Sequence, residues 1–266
     1  MIKKVAFING KGGCAKTTSL FHFAGVLAEK GEKVLVIDLD KQRNLTSSFL
    51  GNEESGYDEK SKTVFDFFTQ KAGIRDIVKK AYIVGIGERK AKYRGIDVVP
   101  GDVRLENERL LKNVDIADEL ERFISAEGYE WVLIDMPPSN KKINEICFCQ
   151  IANSVLIPFS SDLYSLEGYG DIIDTINDGR IKSNKELPIL GIFLSRYMRR
   201  CSVDKYIKEN IEEQFGNMFI DVQIPLNADV REGVMFGKPI SFYKRISNSR
   251  SAFERLVAEV ESRFVY

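Results

Sequence analysis

Cysteine and histidine are scarce in this sequence. Its 266 residues include four cysteines and a single histidine, His22. No two cysteines stand in a C-x-x-C arrangement, and the closest pair, Cys147 and Cys149, is spaced too tightly for an ordinary zinc pair. We therefore expect reduced thiols that act as small hydrophobic residues in a cytosolic protein. His22 lies in a stretch with helical periodicity, and we interpret it as a packing residue rather than a general base.

Long apolar runs, linkers and a charge imbalance are absent as well. No apolar run approaches the ~20 residues of a membrane-spanning helix, and the sequence begins directly with a predicted strand, so we expect no leader peptide. Lysine plus arginine and aspartate plus glutamate both number 39, so binding to nucleic acid or to a membrane would need a local patch. Without repeats or Pro-rich linkers, and with 44 % hydrophobic residues, the chain is expected to form one domain over residues 1–266.

A glycine-rich loop near the start of the chain carries the clearest chemistry. Residues 5–18 read VAFINGKGGCAKTT, an apolar run followed by a turn and an apolar-periodic segment. This order predicts a strand, a phosphate-binding loop and a helix, because glycines let backbone N–H groups point at an anion that the helix N-terminus also attracts. Lys16 would reach the β and γ phosphates of a nucleotide, and the Thr17 hydroxyl would ligate Mg2+. A glycine-rich turn without a ligand is the alternative.

Two further apolar runs end in acidic residues. VLVIDLD ends with Asp38 and Asp40, and WVLIDMPP reaches Asp135 before two prolines. Asp38 and Asp40 share a face because strand residues alternate, and doubly wound sheets bind ligands at the carboxyl ends of their strands. A carboxylate beside a phosphate loop commonly holds Mg2+ through water. The sequence therefore predicts a magnesium site beside the loop.

Strand and helix patterns alternate along the chain, which predicts an α/β fold with a mostly parallel sheet flanked by helices. The predicted helices cover residues 17–30, 163–178, 204–215 and 247–263, with a short one from residue 228. Residues 51–93 are predicted to form a surface loop with two short helices, in TVFDFFTQ and IRDIVKKAYIV. A strand is predicted over 95–100, followed by helical stretches over 103–126 with a break near Asn113.

The loop also resembles a variant of the general phosphate-loop pattern. KGGCAKTT is similar to the deviant Walker A box, KGGxGKT[ST], of the ParA/MinD family of dimerising ATPases, whose additional lysine matches Lys11. Four more segments resemble the ParA (Soj-like) branch at family-like spacings: VLVIDLDKQRNLT, WVLIDMPPS, NSVLIPFSSDLYSLEGY and IPLNADVREGVMFGKPISFY. The matches cover nearly the whole chain, and they imply a P-loop NTPase that uses ATP and Mg2+.

The resemblance implies a role for each matched residue. Catalysis would fall to Lys11, Lys16 and Asp40. The metal shell would include Thr17, Asp38 and Asp135. The nucleotide would contact Gly10, Lys11, Gly12, Gly13, Cys14, Ala15, Lys16, Thr17 and Thr18, with Pro225 and Asn227 beside the adenine. Asp40 would position the attacking water, and Lys11 would cross into the partner subunit of an ATP-bound homodimer to stabilise charge on its nucleotide.

Several residues depart from the family pattern. Ala15 stands where the family has glycine, and Cys14 stands where it has valine. Lys41 and Arg43 replace the proline and glycine that follow the catalytic aspartate of the family, and Asn140 and Lys141 replace small apolar residues. Because these changes lie beside the expected phosphates and water, they bear more on the rate of hydrolysis than on nucleotide binding.

The resemblance to partition ATPases implies non-specific DNA binding by the ATP dimer and a ParB-like adaptor that stimulates hydrolysis. The basic residues available form two groups: Arg196, Arg199, Arg200, Lys205 and Lys208, and then Lys244, Arg245 and Arg250. Phosphate contacts from such groups give salt-sensitive binding without sequence preference. No helix-turn-helix precedes the first strand, and the last helix mixes an apolar stripe with acids, so we expect neither operator recognition nor binding to lipid. The expected location is cytoplasmic and nucleoid-associated.

The leading hypothesis is an ATPase of plasmid or chromosome partition, and three alternatives stay open. One is a MinD-like ATPase that positions proteins at a membrane. Another is a nucleotide-switched regulator that hydrolyses ATP weakly, which Ala15 would favour. The third is a metal-cluster enzyme similar to the nitrogenase iron protein, with Cys147 and Cys149 as ligands, although a second cysteine is missing near residues 95–104.

Overall fold

A single eight-stranded sheet lies at the centre of the described residues. The computed structural model describes residues 2–51, 53–111, 114–160 and 169–264. The strands are β1 (Lys3–Phe7), β2 (Val34–Asp38), β3 (Lys79–Ile83), β4 (Lys92–Val99), β5 (Trp131–Asp135), β6 (Ser154–Ser160), β7 (Ile189–Tyr197) and β8 (Phe219–Pro225). They lie in the order β3-β4-β2-β5-β1-β6-β7-β8, and every neighbouring pair is parallel except β3 and β4. The predicted α/β fold with a mostly parallel sheet is confirmed.

Helices cover both faces of this sheet. They are α1 (Lys16–Glu29), α2 (Asn44–Leu50), α3 (Val64–Phe68), α4 (Ile74–Ile77), α5 (Ala117–Glu127), α6 (Lys141–Ile146), α7 (Tyr169–Ser183), α8 (Ser202–Phe215), α9 (Ala228–Met235), α10 (Ile240–Tyr243) and α11 (Asn248–Ser262). A single π turn, Cys147–Ile151, continues α6. The helices predicted from residues 17, 204, 228 and 247 therefore begin within two residues of the observed α1, α8, α9 and α11.

Alternation along the central strands divides the core into two halves. Val5 and Phe7 of β1 pack with α1 and α11 on one face, whereas Ala6 and Ile8 pack with α5 to α8 on the other. All four side chains are at most 4 % exposed. A strand that is apolar at every position is stable only when both of its faces are covered, as the continuous run VAFI predicts. Because helices cover both faces of the sheet, the ends of the strands, rather than the faces, are accessible to a ligand.

The structure corrects the prediction of a helix over IRDIVKKAYIV. Only Ile74–Ile77 is helical, and residues 79–83 form β3, which pairs antiparallel with β4. Ala81 and Ile83 are buried while the residues between and before them are more exposed, which is the period of a strand. Because no other strand of the described residues pairs with β3, its pairing depends on β4, which also begins earlier than predicted, at Lys92.

Two other helical predictions change. Residues 103–106 and 108–110 form separate 3-10 turns instead of an α-helix, and the helix proper, α5, begins at Ala117. The side chain of Asp102 accepts a hydrogen bond from the backbone of Arg104, which favours a tight turn over a helix at that point. Asn113 and the predicted helix start at residue 163 lie outside the described residues, and α7 extends beyond the predicted end at residue 178, to Ser183.

His22 ties α1 to α9 and α10, as its interpretation as a packing residue predicts. Its imidazole is fully buried, Nδ1 accepts a hydrogen bond from the backbone N–H of Ile240 at 2.9 Å, and Nε2 donates to the carbonyl of Val230 at 3.0 Å. Phe21 and Phe253 pack against the ring. Burial lowers the pKa of His22 to about 4, because a charged imidazolium would lose its hydration there.

Replacement of His22 by leucine should make the stability less sensitive to acid. The unfolded chain binds the proton near pH 6.5 and the folded chain near pH 4, so the stability contributed by neutral His22 is lost as pH falls through that window. Between pH 7 and pH 5, the free energy of unfolding measured in urea should fall by about 2 kcal/mol more for the wild type than for His22→Leu. For the control Phe21→Leu, the difference from the wild type in the free energy of unfolding should be the same at both pH values. An unchanged difference for His22→Leu would contradict the prediction.

Candidate nucleotide-binding site

A cavity of about 790 Å3 opens at the carboxyl edge of the sheet. Its walls come from the glycine-rich loop, the start of α1, the segment after β2, the end of β7, and the connection from β8 into α9. The predicted site residues on its wall are Gly12, Gly13, Ala15, Lys16, Thr17, Thr18, Asp40, Pro225 and Asn227. The structure thus brings the two ends of the chain together around one space, which is large enough for a nucleotide.

The glycine-rich loop curls around the ammonium group of Lys16. Nζ of Lys16 donates to the carbonyls of Asn9 and Lys11, at 3.1 Å each, and lies 3.8 Å from the sulfur of Cys14. Asn9, which the sequence reading missed, supports this curl because its side chain accepts from the N–H of Lys11 and donates to the carbonyl of Pro158 on β6. Lys16 is only 7 % exposed, so its charge faces the loop and the cavity rather than bulk solvent.

Two departures from the family pattern occupy left-handed backbone positions. Ala15 has φ 62° and ψ 31° immediately before α1, and Arg43 has φ 55° immediately before α2. The family has glycine at both positions, and a residue with a Cβ atom costs about 1–2 kcal/mol in this conformation. The loop therefore keeps the backbone path that glycine would allow, and the strain is carried by other contacts of the loop.

Asp38 and Asp135 stand side by side at the ends of neighbouring strands. They are register partners between β2 and β5, and both are fully buried. The carboxylate of Asp38 accepts hydrogen bonds from the backbone of Asp40 at 3.1 Å and from both the N–H and hydroxyl of Thr46, at 2.9 and 2.7 Å. Burial raises the pKa of Asp38 to about 6, and burial together with the neighbouring Asp38 raises the pKa of Asp135.

The residues around Asp135 suit a divalent cation. The hydroxyl of Thr17 donates to one carboxylate oxygen of Asp135 at 2.6 Å, and the other oxygen, although buried, has no hydrogen-bond partner among the described residues. A buried carboxylate oxygen without a partner is costly, and a hydrated Mg2+ beside it would satisfy the oxygen and offset the repulsion from Asp38. Asp38 itself supports the segment that carries Asp40, and its place in the metal shell stays a prediction.

Three predicted nucleotide contacts lie apart from the cavity wall. Gly10, Lys11 and Cys14 are not among its lining residues. Cys14 is buried with its thiol toward the carbonyl of Lys11 at 3.3 Å, and burial raises its pKa. Lys11 is partly exposed and does not line the cavity, although its carbonyl is bonded to the ammonium of Lys16. Its roles in catalysis and dimerisation stay predictions.

The structure divides the basic residues that the sequence grouped together. Arg196 lies at the cavity, where its guanidinium donates to the carbonyl of Gly13 at 3.0 Å. Lys208, Lys244 and Arg250 form ion pairs within the fold. Within these two groups, the basic residues that are exposed and form no ion pair with a described residue are Arg199, Arg200, Lys205 and Arg245.

The sequence reading also missed Ser195, Arg196 and Thr46 as parts of this site. Ser195 is fully buried, and its hydroxyl lies 2.9 Å from the carbonyl of Cys14. Their position in the sequence could have predicted this. Ser195 and Arg196 directly follow the apolar run ILGIFL, as Asp38 and Asp135 follow their own apolar runs, and ligands bind at the carboxyl ends of parallel strands.

The structure gives no support to a metal-cluster centre at the cysteines. Cys147 is buried in the π turn after α6, and burial raises the pKa of its thiol, which disfavours the thiolate that a metal needs. Within residues 2–51, 53–111, 114–160 and 169–264, no group of three or more His, Cys, Asp or Glu side chains is placed to hold a metal ion. Over the same residues, no helix is both long enough and apolar enough to span a membrane.

Comparisons with known proteins agree with this geometry. Residues 2–189 match the AAA domain family. The chromosome partitioning protein ParA of Caulobacter vibrioides is 30 % identical over 268 residues, which cover 98 % of this chain and 95 % of that protein. The sporulation initiation inhibitor protein Soj of Bacillus subtilis is 28 % identical over 264 residues, with 98 % of each chain covered. A Cyanothece McdA variant, solved in complex with ATP, superposes with a TM-score of 0.78 at 21 % identity, covering 98 % of this chain and 96 % of that one.

Replacement of Asp135 by asparagine should stabilise the protein without Mg2+ and remove its response to Mg2+. Loss of one buried charge relieves repulsion with Asp38, so in EDTA at pH 7.5 the variant should melt about 3 °C above the wild type. The pKa values of Asp38 and Asp135 are raised in the folded chain, so folding favours their protonated forms as the pH falls. The difference in Tm between Asp135→Asn and the wild type should therefore shrink toward about pH 4.

The matched control for this prediction is Asp97→Asn, which removes another buried carboxylate, on β4 beside Tyr93 and Tyr129. Scanning fluorimetry with and without MgCl2 should show the same rise in Tm for the wild type and the Asp97 variant. An undiminished rise for Asp135→Asn would exclude Asp135 from the metal site.

Proposed function

The chain belongs to the AAA domain family and, within it, to the ParA/Soj partition ATPases, and we propose that it is an ATP-switched DNA-segregation protein. In this proposal ATP and Mg2+ bind in the cavity, two ATP-bound protomers associate, and the dimer binds DNA without sequence preference. An adaptor protein of the ParB type then stimulates slow hydrolysis, which releases the DNA. The observation that carries the proposal is that the deviant loop, Asp40 and Thr17, whose hydroxyl is bonded to the buried Asp135, meet at one cavity.

The residues of the cavity suit ATP hydrolysis. Lys16 and the N–H groups at the start of α1 would bind the β and γ phosphates, and Thr17 and Asp135 would hold the magnesium ion, directly and through water. Bound Mg2+ supplies charge neutralisation on the phosphates. Asp40 is half-buried on the cavity wall, and hydrogen bonds to Asp38 and Gln42 hold its segment, so it is placed to orient the attacking water.

The placement of Lys11 supports a shared active site. The family loop differs from ordinary phosphate loops by this lysine, and in this chain Lys11 is half-exposed and does not line its own cavity. A cation so placed can reach the nucleotide of a second protomer, where it would stabilise the charge of the transition state as an arginine finger does. Dimerisation would then depend on the γ phosphate.

For DNA binding we propose the segment after β7 and the start of α8, which carries Arg199, Arg200 and Lys205. All three are exposed and make no ion pair with a described residue, so they can neutralise DNA phosphates without first breaking an internal contact. Arg245 is a further exposed candidate. Arg196 is withdrawn from this group because its guanidinium is bonded to the phosphate loop.

Replacement of Arg199, Arg200 and Lys205 by glutamine should abolish ATP-dependent retardation of a DNA fragment of arbitrary sequence. Each lost phosphate contact should lower the slope of log K against log[salt] by about 0.9. The matched control is Lys208→Gln on the same helix, whose ammonium is already paired with Glu212 and Asp221 and should matter little. DNA binding that ignores nucleotide, or that survives the triple replacement, would contradict the proposal.

Two inactive variants should restore activity when they are mixed. Lys11→Ala and Asp40→Ala should each hydrolyse ATP far more slowly than the wild type in single-turnover assays. In a mixed dimer, the site on the Lys11→Ala protomer keeps its own Asp40 and receives Lys11 from the partner, whereas the other site lacks both residues. Because random pairing makes about half of the dimers mixed, the mixture should hydrolyse ATP at about a quarter of the wild-type rate. This result would support Lys11 acting in trans and Asp40 acting in cis.

The mixing experiment also separates the alternatives. If the mixture is as inactive as its components, Lys11 does not act across a dimer. If Asp40→Ala alone hydrolyses ATP at the wild-type rate, Asp40 is not the catalytic residue, and the weakly hydrolysing regulator becomes the better description. The control is Asp40→Ala mixed with wild type, which should add no activity beyond that of the wild-type sites present.

A further inference from the structure

Two consecutive residues at the end of β7 bind two consecutive carbonyls of the phosphate loop. The guanidinium of Arg196 donates to the carbonyl of Gly13 at 3.0 Å. The hydroxyl of Ser195 lies 2.9 Å from the carbonyl of Cys14 and equally close to the carbonyl of Phe159 on the neighbouring strand β6. The two contacts with the loop join segments more than 180 residues apart in sequence, and they are separate from the contacts that hold Lys16.

The direction of these carbonyls determines the direction of two amide groups. In a trans peptide the C=O of one residue and the N–H of the next point in opposite directions. With the Gly13 and Cys14 carbonyls turned toward β7, the N–H groups of Cys14 and Ala15 turn away from β7. A phosphate loop binds its anion with backbone N–H groups, so contacts that set their direction bear on the ligand.

The contacts also act where the loop is strained. Ala15 follows the second of these peptides and adopts a left-handed conformation that favours glycine. Arg196 adopts a left-handed conformation too, with φ 58°, and this turn of the backbone at the end of β7 accompanies the reach of its side chain to the loop. Strained conformations persist where surrounding contacts over-determine them, and both lie at this one junction.

We propose that Ser195 and Arg196 are positioning residues that hold the phosphate loop ready for a nucleotide and offset the strain at Ala15. The inference rests on the proposed ATP-binding function and adds the two residues that preset the loop amides. Neither residue is a phosphate ligand in this role, since each acts through a carbonyl of the loop. The ligand that senses the effect is therefore a diphosphate or triphosphate nucleotide, whose β phosphate lies in the loop.

Arg196→Gln and Ser195→Ala should each weaken binding of Mg-ADP about fivefold, the fold-change that one net hydrogen bond is worth. Binding of AMP should change much less, because AMP has no β phosphate. Isothermal titration with ADP and AMP at a temperature well below Tm measures both. The matched controls are Ser154→Ala, which removes a buried hydroxyl bonded to the Lys4 carbonyl near the start of β6, and Arg122→Gln, which removes an exposed arginine on α5.

Glycine at position 15 provides the decisive comparison. In an Ala15→Gly background the loop needs less external support, so Ser195→Ala and Arg196→Gln should weaken ADP binding only about twofold. Losses of equal size in both backgrounds, or unchanged ADP affinity in either single variant, would overturn the inference while wild-type ADP binding leaves the proposed function standing. A wild type that binds neither ADP nor ATP would overturn both.

Discussion

Charge at the carboxyl edge of the sheet is the constraint on which the rest of this structure depends. Asp38 and Asp135 are both fully buried on neighbouring strands, and the ammonium of Lys16, whose charge acts on Asp135, is bonded to loop carbonyls. Burial of the two carboxylates, together with repulsion from neighbouring acids, raises the pKa values of both Asp38 and Asp135. Such an arrangement is unfavourable for stability alone and becomes favourable when a divalent cation joins it. The folded protein is in this sense built for its ligand.

The same edge explains how the loop tolerates residues other than glycine. Ala15 and Arg43 keep left-handed conformations that cost free energy, and each lies directly before a helix that borders the cavity. Contacts from Asn9 at the start of the loop and from Ser195 and Arg196 at the end of β7 hold the loop. Strain concentrated at a binding site and balanced by surrounding contacts is a common feature of preorganised sites. Nucleotide binding can therefore survive substitutions that the loop pattern by itself would disfavour.

Basic residues that are neighbours in sequence have different fates in the fold. Arg196 is bonded to the phosphate loop, Lys208 is paired with acids, and Arg199 and Arg200 are exposed only three or four residues after Arg196. A chain with no net charge can still bind DNA if a few cations are left without internal partners. The proposed nucleotide and DNA sites are close in sequence, because the segment proposed for DNA directly follows the strand end that contacts the phosphate loop.

Features that depend on local patterns could be predicted from the sequence. Continuous apolar runs predicted the buried parallel strands. The acidic residues at the ends of these runs indicated Asp38, Asp40 and Asp135 as candidate site residues. The glycine-rich loop with its extra lysine predicted the family. Features that depend on distant partners became visible in the folded chain. KKAYI is a strand because β4 pairs with it, and Arg196 is a loop contact rather than a surface charge because the order of the strands brings residue 196 to residue 13. The physical reason is that periodicity and turn chemistry act over a few residues, whereas a hydrogen bond across 183 residues exists only once the sheet has formed.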